Sequence, residues 1–178
     1  MRIAICGKMG SGKTYIADLL NKKFNLVKIS FAGKVKELAS DLFGIEYKNR
    51  ELLQNIADKM KDIDNDIWVK YVIKKINDDN LDNVIIDDLR FPNELSYLKK
   101  HNFIIIALDI DENTQINRLK EKYGNDYINH INRRHHNSEI NIEKLDYDIK
   151  FKSDEYIYDN ILEYLNTHIV YNQKIDLG

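Results

Sequence analysis

The pattern G-x-x-x-x-G-K-[ST] runs from Gly7 to Thr14 and directly follows an apolar segment at residues 3–6. Its glycines let the backbone fold around an anion, so that N–H groups and the positive end of a following helix meet phosphate oxygens. Lys13 supplies a cation for the β- and γ-phosphates, and the Thr14 hydroxyl suits Mg²⁺. A glycine-rich turn that only packs on the sheet would not require the Lys-Thr pair. The predicted ATP-binding residues are Gly7, Gly10, Ser11, Gly12, Lys13 and Thr14.

The rest of the chain alternates short apolar segments with longer amphipathic ones. The short segments lack clean polar alternation, which is typical of strands buried on both faces of a parallel sheet. This order predicts a three-layer α/β fold, a P-loop NTPase fold with a mostly parallel five-stranded sheet, in one domain spanning residues 1–178. The predicted strands cover residues 2–6, 27–31, 84–86, 103–108 and 147–151. The predicted helices cover residues 13–24, 34–43, 50–60, 67–77, 94–100, 112–123 and 155–167.

Charge and cysteine content exclude several classes of protein. The 27 Lys and Arg residues against 29 Asp and Glu give a net charge of −2, so no global basic field attracts nucleic acid. Cys6 is the single cysteine and cannot form an internal disulfide. Neither a leader segment nor a long apolar run is evident, so we expect no membrane partner and a cytoplasmic location.

Two carboxylates, Asp87 and Asp88, follow the apolar segment at residues 84–86. Acids at this place in a phosphate-loop enzyme form the second Mg²⁺ and water-ordering site. An ordinary strand terminus is the alternative. Beside a complete phosphate loop, the pair favours a metal site made of Thr14, Asp87 and Asp88.

The stretch from Asp88 to Glu94, D-L-R-F-P-N-E, resembles the D-x-R-F-P-N-E signature of the bacteriophage-type deoxynucleoside monophosphate kinases. That family belongs to the adenylate-kinase-like branch of phosphate-loop proteins. Phosphomevalonate kinases of the animal type share the D-x-R element, which leaves the acceptor open. Individually weaker matches extend the resemblance over about residues 3–139: Phe31-Ala32 with Lys36, Arg50 with Leu53-Gln54, Asp66 with Trp68, and His136-Asn137-Ser138-Glu139.

The resemblance implies transfer of the γ-phosphate of ATP to a deoxynucleoside monophosphate, with Mg²⁺ as cofactor, small nucleotides as substrates and a homodimer as the assembly. It implies that Asp88 is the Mg²⁺-associated carboxylate, with Asp87 as its substitute, and that Arg90 contacts the acceptor or its phosphate. Arg90 could instead pair structurally with Asp88 or Glu94. After Gln54 the sequence departs from the family pattern, because Ala57-Asp58 stands where family members have Gly-Thr and then a second arginine.

The acceptor is expected to bind on a helical insertion at about residues 34–80. Arg50 is the predicted holder of the monophosphate, and the Gln54 amide suits a base edge. Lys36 adds a cation on the same side. For Trp68, helix packing and base stacking both remain open.

A lid is expected at about residues 123–140, by resemblance to adenylate-kinase-like enzymes. We expect Arg118 and one of Arg133 or Arg134 to close over the ATP phosphates; a solvated basic loop is the alternative. Three histidines at positions 130, 135 and 136 do not make the four-ligand set of a structural zinc site, so no zinc is expected.

Two other functions stay open at this point. One is a kinase of another small acceptor, such as phosphomevalonate or dephospho-coenzyme A. The other is a nucleotide-dependent switch, although the guanine-reading N-K-x-D element is absent, since residues 21–24 read N-K-K-F.

Overall fold

The computed structural model describes residues 1–44, 49–132 and 145–175. Its strands are β1 (Arg2–Gly7), β2 (Val27–Ile29), β3 (Val84–Ile86), β4 (Ile104–Asp109) and β5 (Ile149–Lys152). Its α-helices are α1 (Lys13–Phe24), α2 (Phe31–Phe43), α3 (Arg50–Ile63), α4 (Ile67–Asp78), α5 (Pro92–Lys100), α6 (Glu112–Tyr123), α7 (Tyr127–Asn132) and α8 (Ile157–Ile175). A short 3₁₀ turn, Gly124–Asp126, joins α6 to α7.

The five strands form one sheet in the order β2-β3-β1-β4-β5, and every neighbouring pair is parallel. Ile3 on the central strand β1 lies opposite Ile85 on one side and Ile104 on the other. This confirms the predicted five-stranded α/β fold, and the sheet is fully rather than mostly parallel. Because all the strands run the same way, their carboxyl ends, and the phosphate loop that follows β1, share one edge.

Side chains of β1 alternate between the two faces of the sheet. Ala4 and Cys6 join a core with α2, α4 and α5, whereas Ile3 and Ile5 join a core with α1 and α8. All four side chains are fully buried. Strands covered on both faces need apolar residues throughout, which explains why polar alternation is missing. The three-layer prediction is therefore confirmed.

Several predicted boundaries differ from the structure. Phe31 was expected in a strand, yet it is the first residue of α2. Proline at the first position of α5 starts that helix two residues before the predicted residue 94, because proline's missing N–H is not required there. The last helix continues to Ile175 rather than ending at residue 167. Part of the expected lid is the short helix α7.

The connection between β2 and β3 consists of α2, α3 and α4, where the acceptor-binding insertion was predicted. The division of the chain into this insertion, a lid and a kinase body stays a prediction. None of the described helices has the length and apolar character to cross a membrane.

Candidate active site

The phosphate loop is a tight turn between β1 and α1, and glycine makes it possible. Gly10 and Gly12 have φ angles of 81° and 89°, in the left-handed region that favours glycine. A Cβ on Gly7 would lie 2.7 Å from the backbone oxygen of Leu108. Ser11 N–H donates to Lys8 O at 3.1 Å and closes the turn. The loop therefore has the wrapped shape that an anion site requires.

Lys13 and Thr14 are the first two residues of α1, so their side chains start at its positive end. The Lys13 ammonium folds back over the loop and donates to Gly7 O at 2.5 Å and Lys8 O at 2.9 Å. Both Lys13 and Thr14 line a cavity of about 860 Å³ at the carboxyl edge of the sheet.

This cavity is lined by side chains from the phosphate loop and from several strands and helices around it. The phosphate loop and α1 form one wall, and the ends of β2 and β3 with α2 and the end of α6 form the others. Among described residues the cavity is lined by Met9, Gly10, Gly12, Lys13, Thr14, Tyr15, Lys28, Ile29, Ser30, Ala32, Lys36, Asp87, Asp88, Arg90, Arg118, Leu119, Lys122, Tyr123 and His130. Of the predicted site residues, the cavity thus brings together part of the phosphate loop, both carboxylates and two of the arginines, Arg90 and Arg118.

Asp87 is buried at the end of β3 and pairs with Lys28, whose Nζ lies 3.1 Å from Asp87 Oδ2 and 2.8 Å from Asp18 Oδ1. Desolvation opposes the charge on Lys28, but its hydrogen bonds to Asp18 and Asp87 outweigh it, and the pKa of Lys28 is raised. Lys28 was not among the predicted site residues. A lysine in a short strand next to the acid-bearing strand is the signal that would have found it.

Asp88 holds the start of α2. Its two carboxylate oxygens accept the N–H groups of Phe31 at 3.1 Å and Ala32 at 3.0 Å. Because Ser30, the residue before the helix, makes no side-chain cap, Asp88 satisfies these first-turn donors from β3. Desolvation raises the pKa of Asp88, while the N–H groups and nearby Arg90 favour its charged form. Through these two hydrogen bonds, Asp88 links the end of β3 to α2, the first helix on the acceptor side.

The segment after Asp88 is fixed by Glu94. Glu94 Oε2 accepts the backbone N–H groups of Arg90 at 2.9 Å and Phe91 at 3.0 Å, which is the carboxylate half of a capping box at α5. These bonds use the backbone N–H of Arg90, and Arg90 also lines the cavity. Desolvation of Glu94 raises its pKa to about 7.

Three further contacts attach this segment to the acceptor-side helices. Asn93 Nδ2 donates to Asp66 Oδ1 at 2.8 Å and to Asn65 O at 3.2 Å, at the turn between α3 and α4. Lys61 Nζ, near the end of α3, lies 3.9 Å from the centre of the Phe91 ring. The D-x-R-F-P-N-E run is therefore a junction between β3, α3, α4 and α5.

The predicted acceptor residues are not all at the cavity. Lys36 on α2 lines it, whereas Gln54 on α3 is exposed and lies outside the described lining. Trp68 is buried in the core, and its indole N–H donates to Ala57 O at 3.1 Å, so packing accounts for its contacts. Arg50 begins α3. The contacts of its side chain lie outside what the structure describes.

Of the predicted lid arginines, only Arg118 falls in the described part of the chain; Arg133, Arg134, His135 and His136 lie outside it. Arg118 lines the cavity, and its guanidinium donates to Gly10 O and to Ser153 Oγ. His130 is buried, stacks on Tyr123 with ring centroids 3.8 Å apart, and also lines the cavity. The closing movement of the lid stays a prediction.

Sequence reasoning missed Gln115 on α6 and Ser153 after β5. Both are buried, and both donate hydrogen bonds to carbonyl groups of the phosphate loop. The sequence signals for these two residues are weak. Gln115 lies one turn before the buried Leu119, at a position where an apolar residue is expected. Ser153 directly follows β5, at the carboxyl edge of the sheet where the site lies.

The cavity has oxygen ligands that suit Mg²⁺, namely the Thr14 hydroxyl and the carboxylates of Asp87 and Asp88. Mg²⁺ commonly takes one or two protein carboxylates and completes its shell with water and substrate phosphates. Within residues 1–44, 49–132 and 145–175, no three His, Cys, Asp or Glu side chains cluster closely enough to hold a metal by themselves. These residues fit an ion held jointly with a nucleotide.

Comparison with known proteins gives the class. Residues 3–144 match the model of the AAA domain family, and the chain belongs to that family. A search of curated proteins returned no match in sequence. The fold is shared with kinases of small molecules.

Shikimate kinase from Aquifex aeolicus superposes with a TM-score of 0.52 at 18% identity, covering 96% of this chain and 99% of that one. A gluconokinase from Sinorhizobium meliloti gives 0.57 at 12%, covering 97% and 96%. The YorR protein from Bacillus subtilis, solved in complex with phosphorylated GDP, gives 0.55 at 17%, covering 98% of both chains.

Proposed function

We propose that this protein is an ATP-dependent kinase that transfers the γ-phosphate of ATP to a deoxynucleoside monophosphate, giving ADP and a deoxynucleoside diphosphate. One observation carries the proposal: Lys13 and Thr14 of the phosphate loop line the same cavity as Asp88 and Arg90 of the D-x-R-F-P-N-E run. Donor-type and acceptor-type residues thus line the same cavity. The phosphorylated GDP bound by the Bacillus subtilis protein supports a nucleotide ligand in this fold.

The chemistry needs no covalent nucleophile, because the acceptor is already an anionic phosphate. Catalysis then depends on alignment and on neutralising the charge of the transferred group. In this proposal Lys13 holds the donor phosphates and Arg90 bridges donor and acceptor. Lys36 adds positive charge on the acceptor side, and Arg50 holds the monophosphate. The Gln54 amide, outside the described lining of the cavity, reads the edge of a base that extends beyond that lining.

When bound with ATP, Mg²⁺ would supply neutralisation of the phosphate charge, and Thr14 with Asp87 or Asp88 would hold it. Each carboxylate also has a partner of its own. Lys28 pairs with Asp87, and the first turn of α2 pairs with Asp88. Arg118 and one of Arg133 or Arg134 complete the proposal as the cationic cover that excludes water.

A coupled assay for ADP tests the proposal. ATP-Mg is supplied without acceptor and then with dGMP, dTMP, dCMP or dAMP, and the matching ribonucleotides serve as controls. We expect ADP release that saturates with at least one deoxynucleoside monophosphate and is small without an acceptor. Slow ADP release that no acceptor stimulates would instead indicate a nucleotide-dependent switch.

A second candidate is a kinase of a small acceptor that is not a nucleoside monophosphate. The observation in its favour concerns aromatic side chains that could stack on a base. The two tyrosines among the described lining residues, Tyr15 and Tyr123, belong to α1 and α6 and not to the acceptor-side helices. Trp68, the aromatic residue predicted on the acceptor side, is in the core. Shikimate, gluconate, phosphomevalonate and dephospho-coenzyme A belong in the same assay, and turnover with one of them alone would favour this candidate.

A further inference from the structure

Side chains from elsewhere in the chain hold the carbonyl groups of the phosphate loop. Gln115 Nε2 on α6 donates to Met9 O at 2.7 Å. Ser153 Oγ, just after β5, donates to Ser11 O at 2.8 Å. The partners are 106 and 142 residues apart in sequence, so the tertiary fold creates both contacts.

Arg118 joins these two contacts. Its guanidinium donates to Gly10 O at 3.2 Å, to Ser153 Oγ at 2.6 Å and to Ser153 O at 3.1 Å. Three consecutive loop carbonyls, at positions 9, 10 and 11, therefore accept hydrogen bonds from the side of α6 and β5.

The direction of a carbonyl sets the direction of the next N–H, because the two groups of a planar trans peptide point opposite ways. Holding Met9 O and Ser11 O toward α6 and β5 turns the N–H groups of Gly10 and Gly12 away from those elements. Gly10 and Gly12 line the cavity. The N–H of Ser11, between them, is used within the loop by Lys8 O.

We propose that Gln115 and Ser153 are positioning residues that orient the N–H groups of Gly10 and Gly12 for polyphosphate before any ligand binds. The inference rests only on the phosphate-binding half of the proposed function and requires no particular acceptor. Both residues support the loop from outside it, Gln115 from α6 and Ser153 from the end of β5.

Burial makes these supports effective. Gln115 is 4% exposed and Ser153 is 6% exposed, so water does not easily replace their hydrogen bonds. Glycine peptides otherwise have wide conformational freedom, and ordering them during binding weakens affinity. A loop whose peptides are already oriented binds an anion without that cost.

Inorganic pyrophosphate is the probe, since it carries the anion chemistry without a base, sugar or acceptor. Its dissociation constant is measured by calorimetry for the wild-type chain, Gln115→Met and Ser153→Ala. We expect each variant to bind pyrophosphate about tenfold more weakly per folded molecule. This change in the dissociation constant corresponds to the net free energy of about one hydrogen bond. Ser153→Thr keeps the hydroxyl and is expected to bind as the wild type does.

Nuclear magnetic resonance spectra of the protein labelled with ¹⁵N-glycine report on the loop amides directly. The sequence has seven glycines, so few signals appear. Pyrophosphate is expected to shift the Gly10 and Gly12 amide signals in the wild type, and less so in the variants at equal ligand. The same spectra show whether each variant is folded. Should one variant not fold, the other decides alone, and Ser153→Thr against wild type supplies the third comparison.

Matched controls remove bonds of the same kind far from the loop. Asn21→Leu removes an amide bond to Leu26 O at the other end of α1, and Thr167→Val removes a hydroxyl bond to Glu163 O on α8. Both are expected to keep wild-type pyrophosphate affinity. Wild-type affinity in both Gln115→Met and Ser153→Ala, or no pyrophosphate binding by the wild type, would overturn the inference. If no acceptor stimulates ADP release, the proposed function fails, but this inference about the phosphate loop does not, because pyrophosphate binding requires no acceptor.

Discussion

The Lys13 ammonium is anchored to the phosphate loop through Gly7 O and Lys8 O, so it stays at the site when no ligand is present. We expect Lys13→Ala to lower kcat at least about a hundredfold, because it removes a preorganised cation from the transferring group. The thermal midpoint should change little, since the side chain is not in either core. Lys22→Ala, in the exposed last turn of the same helix, is the control. Normal turnover by folded Lys13→Ala would contradict the role of Lys13.

Arg90→Lys separates charge from shape at the acceptor side of the cavity. The substitution keeps a positive charge but loses the planar group that binds phosphate through two parallel hydrogen bonds. If Arg90 bridges the two substrates, kcat should fall about a hundredfold with every accepted nucleotide, while ATP affinity changes far less. The backbone bond from Arg90 N–H to Glu94 is unaffected by the substitution, so the start of α5 should be preserved.

The comparison of kcat with the thermal midpoint decides between two roles for Arg90. A variant that melts early yet turns over normally per folded molecule would assign Arg90 to architecture. It would also remove the main support for a deoxynucleotide acceptor and leave a phosphate-loop kinase of unspecified substrate.

The start of helix α5 depends on a carboxyl group, Glu94, whose burial opposes its ionisation. The pKa of Glu94 is about 7 in the folded chain, against an ordinary value of 4.5, because the group is desolvated. Between these values the folded state holds a proton that the unfolded chain has lost, so stability falls as pH rises. Glu94→Gln keeps an acceptor oxygen for Arg90 and Phe91 but cannot ionise. Relative to wild type it should gain stability from pH 5 to pH 8, by up to roughly 3 kcal/mol.

Urea unfolding of both proteins across this pH range measures the difference. Asp111, the cap of α6, is the control, because its N–H bonds lower its pKa and its contribution is lost only as pH falls through the acid range. The gap between wild type and Asp111→Asn should therefore be constant from pH 5 to pH 8. A constant gap for Glu94→Gln as well would contradict the burial cost assigned to Glu94.

The same elements show how far sequence reasoning reaches. The segment from β1 through α1 was predictable because strand pattern, glycine spacing and the Lys-Thr pair are local and agree with each other. The meeting of Lys13, Asp87, Asp88 and Arg90 at one cavity followed from the parallel sheet, which brings the carboxyl ends of its strands to one edge.

What was missed depends on contacts between residues far apart in sequence. Phe31 joined a helix instead of a strand because Asp88, 57 residues away, accepts its N–H. Gln115 and Ser153 bind main-chain oxygens, which every residue has, so no side-chain motif at the loop announces them. Trp68 could pack or stack on a base, and only the position of α4 against the sheet distinguishes these.

The two cores pack on opposite faces of a single sheet, so we expect them to unfold together. Leu20 on α1 and Leu98 on α5 are fully buried on opposite faces of that sheet. Truncating either to alanine should cost about 2–5 kcal/mol through lost burial and a cavity.

Because β1 contributes alternate side chains to both cores, neither layer can unfold while the other keeps its packing. Leu20→Ala and Leu98→Ala should each move one single unfolding transition, seen identically by far-ultraviolet circular dichroism and by fluorescence of Trp68. Leu42→Ala, at a position 70% exposed on α2, should change stability by less than about 0.5 kcal/mol. Two separable transitions in either core variant would mean that the chain is not one folding unit.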